Sequence, residues 1–150
     1  MPRFRVFKIA GLILLAALAA GCQRMATQGP SPLGPSTFVL TFTLTANPNV
    51  ILTGTARPTS NIQAVVTENG EAAFNRTVYF TITEGPGEFP NFSQRAAVTT
   101  DWNGAASITY TGPTKFEIDA DTTATIMAQL ETCSPQIIAK AVTITILFSE

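Results

Sequence analysis

The sequence predicts an all-β protein, a single immunoglobulin-like antiparallel β-sandwich of about seven to eight strands behind a cleaved signal peptide. Three observations carry that prediction. Apolar and polar residues alternate with a period of two through much of residues 37–150, the mark of strands with one buried face. Turn-forming pairs interrupt these runs at intervals of roughly 8 to 12 residues. No stretch after the leader keeps a helical period behind a good cap.

The first strand places Phe38, Leu40, Phe42 and Leu44 on one face and Val39, Thr41, Thr43 and Thr45 on the other. A weaker run follows at 50–55. Clearer ones span 61–68, 77–84, 95–100, 105–111, 123–130 and 138–148. Between them stand Asn47-Pro48-Asn49, Arg57-Pro58, Asn69-Gly70, Gly85-Pro86-Gly87, Asn103-Gly104 and Gly112-Pro113. Pro presets a negative φ and Gly or Asn accepts a positive one, so each suits a tight turn. The last strand carries Ile138, Val142, Ile144, Ile146 and Phe148 on one face, interrupted by Lys140, and is long enough to close the sandwich. Abundant Thr, Val, Ile and Phe fit a pleated sheet, and the short spacing argues for a sandwich over a βαβ plan.

The leader differs in kind. Arg3, Arg5 and Lys8 precede an apolar run of 12 residues, 9–20, that ends in small side chains. That order reads as a secretory signal, and the run is short of the roughly 18 to 20 residues a transmembrane helix needs. Leu18-Ala19-Ala20-Gly21-Cys22 resembles the lipobox of bacterial lipoproteins, with Ala19 where Leu is usual. The resemblance implies cleavage before Cys22 and lipidation of its thiol, with membrane partnership through the acyl chains. Gln23 behind the Cys resembles the outer-membrane sorting pattern. The expected division is therefore 1–21 signal peptide, 22–36 lipidated Cys with a Pro/Gly-rich tether, and 37–150 sandwich domain. Extended, the 23–36 tether reaches up to roughly 40 Å.

Charge narrows the partners. Of nine basic residues three lie in the leader, so the remainder carries six against ten acidic ones, a net 6 − 10 = −4. A nucleic-acid partner is disfavoured, because phosphate contacts need a basic surface. With Cys22 lipidated, Cys133 has no partner for a disulfide, and as a small residue in a turn it reads as structural.

Several segments together resemble the bacterial immunoglobulin-like domains of the invasin and intimin type, the group 1 family, from about Thr53 to Gln129. Val65-Val66-Thr67-Glu68-Asn69-Gly70 resembles the family's strand into an Asn-Gly turn. Val78-Tyr79-Phe80 followed by Gly85-Pro86-Gly87 is similar to its Val-x-Phe strand and Gly-x-Gly turn. Thr100-Asp101-Trp102-Asn103-Gly104, feeding the alternating Ala105 to Tyr110, matches its Thr-Asp-x-x-Gly turn, and Ala124-Thr125-Ile126-Met127-Ala128 its late strand. The resemblance implies a fold and a place at the bacterial surface, where such domains act as spacers or adhesive modules. Here one copy is found, with no barrel and no terminal lectin-like module.

Catalysis has little to work with. The chain contains no His, which excludes Ser-His-Asp, Cys-His and His-metal sites. Glu84 and Glu88, flanking a turn, read as solvated charges rather than a carboxylate pair. Glu117, Asp119 and Asp121 alternate along one stretch but lack the Gly and bidentate Glu of a calcium loop, so no metal and no cofactor are expected. Asp101 reads as the cap of its own turn. Aromatics in turns are the better signal: Phe89, Phe92 and Trp102 are candidates for partner-binding loops at one tip, against the alternative that Phe89 and Phe92 fold back to cap the end of the sandwich and Trp102 covers a neighbouring loop. The expected function is a lipid-anchored envelope module binding a protein or glycan. The alternative is an accessory subunit that docks by a sheet edge or face.

Overall fold

A computed structural model describes residues 39–131 and 137–150. Nine strands follow in order: β1 (Leu40–Asn47), β2 (Val50–Leu52), β3 (Thr59–Glu68), β4 (Glu71–Ala72), β5 (Thr77–Glu84), β6 (Arg95–Thr99), β7 (Ala105–Thr111), β8 (Thr122–Leu130) and β9 (Ile138–Leu147). They form two sheets. In the first, β3 is central, flanked by β1 on one side and by β7 and the short β4 on the other. The second runs β2-β9-β8-β5-β6. All pairings are antiparallel except that of β2 with β9.

The alternation read from the sequence sets the packing. Phe42, Ile62, Ala64, Val66, Ile108 and Tyr110 point inward from the first sheet, and meet Val78, Phe80, Ile126, Ala128 and Ile144 from the second. Fully burying each large apolar side chain contributes about 1.5–3 kcal/mol. Lys140 faces the core side of β9, opposite Ala128, yet remains exposed. The expected strands are all present, and the weak run at 50–55 shortens to three residues. β4, only two residues long, was not anticipated, because so short a bridge has no periodicity to read. Cys22, Cys133, the leader and the tether lie outside the described residues.

The register also orders the loops. At one end of the sandwich lie Val39, the Asn69-Gly70 turn, residues 73–76, the 100–104 turn and Ile137, just before β9. At the other lie loops 53–58, 85–94 and 112–121 and the end of β9.

Candidate interaction site

The aromatic residues expected at one tip are separated by the topology. Phe92 precedes β6 and Trp102 follows it, so the length of that strand, about 17 Å at 3.3 Å per residue, stands between their loops. Phe89 is a further correction. Its backbone N–H donates to the Ser93 carbonyl, turning the loop back over the open end, and its ring is 1% exposed, edge-on to Phe80 with centroids 6.5 Å apart. It belongs to the core and is unavailable to a partner.

Trp102 and Phe92 are exposed as expected, and each has a companion. Trp102 (78% exposed) stacks flat on Phe74, with centroids 3.8 Å apart and planes inclined by 3°. The turn beneath this stack is tied by hydrogen bonds. Asp101 Oδ1 accepts from the N–H groups of Ala105 (3.0 Å) and Asn103 (2.8 Å), which hold its carboxyl below the usual aspartate range. Thr100 Oγ1 donates to the Ala73 carbonyl and accepts from Arg76 N–H, locking the 73–76 segment that carries Phe74. Gly104 sits at φ +72°, and any Cβ there would run into the Val66 carbonyl. Phe74 was missed from sequence because 28 positions separate it from Trp102 and nothing local marks the pairing.

At the opposite end Phe92 is 87% and Phe116 77% exposed. Phe92 and its neighbour Asn91 both occupy the left-handed region, φ +56° and +64°, a costly conformation for a bulky side chain. One guanidinium ties the loops that present the two rings. Arg57 donates from Nη1 to Glu88 and from Nη2 to Glu117, each at 2.5 Å. The N–H and hydroxyl of Thr114, and then Arg57, hold the Glu117 carboxyl below its ordinary range. Glu88 also pairs through its backbone with Thr111 in both directions. Tyr110 supports the same end from below, its hydroxyl donating to the Pro86 carbonyl at 2.5 Å.

The acidic run is dispersed. Glu117 serves Thr114 and Arg57, and Asp121 Oδ1 accepts from Phe148 N–H at 2.7 Å. Among the described residues no group of three potential metal ligands gathers. Glu84 is exposed, and Glu88 belongs to the Arg57 clamp.

The sheet faces are chemically quiet. Outward positions of the first sheet read Thr41, Thr43, Thr45, Gln63, Val65, Ser107 and Thr109, with no charge. The second sheet has a shallow concavity of about 540 Å³ lined by Tyr79, Thr81, Ala97, Met127 and Gln129, with Arg95 at its rim.

No protein-family model matches the chain, and no curated protein does. Solved structures match by fold. The D00–D0 domain fragment of intimin superposes with a TM-score of 0.50 at 20% identity, over 72% of this chain and 46% of that one. The D0–D1 fragment of intimin gives 0.51 at 18%, over 75% and 49%. AggA, the major subunit of aggregative adherence fimbriae type I from Escherichia coli, gives 0.52 at 12%, over 74% and 96%. The chain thus spans about half the length of the intimin fragments. Its fold is the immunoglobulin-like sandwich that those domains share.

Proposed function

We propose that this protein is a lipid-anchored interaction module of the bacterial envelope, held by Cys22 and capturing a protein or glycan through the Phe92–Phe116 end. It carries out no catalysis in this reading. The observation that carries it is the exposure of two aromatic rings on loops clamped together by Arg57, at the end of the sandwich away from Val39. Exposed aromatics on a rigid frame are what partners bury at the centre of an interface, because the ring adds apolar area with little ordering cost. The adhesin-type neighbours support a surface role in general; the lipid, the membrane and the partner are part of the proposal.

Docking by a sheet, the alternative, has its own support in the concavity beside β6, where Arg95 is the one charged side chain of the lining. Site-specific photocrosslinking on intact cells separates the two. A photoreactive side chain at position 92 or 116 is expected to form adducts while one at 79 or 97 does not. Adducts from 79 and 97 alone would replace the loop reading with the sheet one. Phe92→Ala with Phe116→Ala is expected to weaken partner retention by about 30-fold, the effect of losing roughly 2 kcal/mol.

A further inference from the structure

The stack at the other end of the molecule remains unused by that reading, and its surroundings point to a second role. Trp102, Phe74, Val39 and Ile137 are all exposed, and the register brings all four to one end of the sandwich. It is also the end from which the described chain departs toward its N-terminus: Val39 exchanges hydrogen bonds with Asn69, donating to Oδ1 at 3.0 Å and accepting from its N–H at 2.7 Å. Sixteen residues lie between Cys22 and Val39 (38 − 22 = 16). Even fully extended at about 3.1 Å per residue, that stretch spans no more than about 50 Å, so an anchor at Cys22 bounds how far this end can stand from the bilayer to which it is attached.

We infer that the Phe74–Trp102 stack is a membrane foot, settling among the headgroups of the bilayer that holds the anchor. Trp is the side chain best suited to that depth, with an apolar body and a polar N–H. The rings are already ordered by Thr100 and Asp101, so contact freezes little that was mobile. Charge identifies the lipid. Among the described residues the same end carries Glu68, Glu71, Asp101 and Glu131 against Arg76, which is paired with Glu68. An anionic surface repels such an end, and a zwitterionic one such as phosphatidylethanolamine does not. The orientation that follows turns the Phe92–Phe116 end away from the membrane.

The inference rests on the lipid-anchor reading, and the test keeps the two apart. Trp102 is the sole tryptophan of the chain, so its fluorescence reports on this end alone. The mature lipidated protein is reconstituted in phosphatidylethanolamine vesicles doped with brominated phosphatidylcholine, with the Cys22→Ser chain mixed with the same vesicles as reference. The foot predicts emission shifted to shorter wavelength and quenched about twofold by the bromines. It also predicts loss of quenching at low salt as phosphatidylglycerol replaces the neutral lipid. Anchored protein that floats with the vesicles while Trp102 emits like the Cys22→Ser chain overturns the foot and leaves the anchor standing. Protein that does not float contradicts the anchor, and the foot with it. Phe74→Leu keeps an apolar support under Trp102 and is expected to reduce the quenching without unfolding the domain.

Discussion

Tyr110 shows how a single side chain fixes the far loops. It is fully buried, and burial pushes its hydroxyl up to about 12. A phenol held neutral in the folded state keeps its proton after the unfolded chain, near its ordinary value of 10, has lost one. Its stabilisation is therefore complete below pH about 10 and is lost as pH rises from there toward about 12. Tyr110→Phe removes the donor to Pro86 and leaves a carbonyl unsatisfied, for an expected loss of about 1–3 kcal/mol in a urea melt at neutral pH. The same variant should flatten the alkaline decline. Gly87 stands at φ +109° with Tyr110 directly above it, so Gly87→Ala meets both a strained backbone and a collision, and is expected to cost more than Tyr110→Phe. Asp101 works in the opposite pH direction. Its lowered carboxyl contributes stability above the ordinary value of 3.8 that is lost as pH falls through the lowered folded value. Trp102 emission should hold steady down to that region and change only below it, and Asp101→Asn should remove the transition.

Among the elements, loops 85–94 and 112–121 depend on Arg57 for their relative placement. Exposed ion pairs contribute little to global stability, so Arg57→Met is expected to leave the melting temperature nearly unchanged. Amide exchange should instead quicken in those two loops and not in β3 or β8; equal protection in wild type and variant would show that the clamp holds nothing. The strands themselves were legible from residues such as Leu40 to Thr45 and Ala105 to Tyr110, because each buries one face and period two is a local signal. Phe89 stayed open between tip and cap for the complementary reason. Its loop doubles back through the Phe89–Ser93 bridge, and burial beneath a reversing loop leaves no periodic trace. Phe74 and Phe116 went unnoticed because each acquires its role from residues far along the chain, Trp102 in one case and Arg57, through Glu117, in the other.

As a whole the sandwich carries its most exposed rings, Trp102 on one side and Phe92 with Phe116 on the other, at opposite ends. Its sheet faces present mostly Thr, Ser, Gln and Ala, with Tyr79, Met127 and Arg95 lining the concavity of the second sheet. The fold class was readable from alternation and turn chemistry, and the resemblance to intimin-type domains is matched by the solved structures. What the sequence could not show is which loops share an end, since that follows from the sandwich connectivity. The result is that Phe92 and Trp102, expected together, stand apart and serve different surfaces. The central claim, a domain held by Cys22 and facing outward, is tested most directly by adding protease to intact cells, with Cys22→Ser alongside. The account predicts that the wild-type domain is digested at the surface and that Cys22→Ser is recovered in the medium. Protection of the wild-type domain until the outer layer is breached, or retention of Cys22→Ser on the cells, would contradict it.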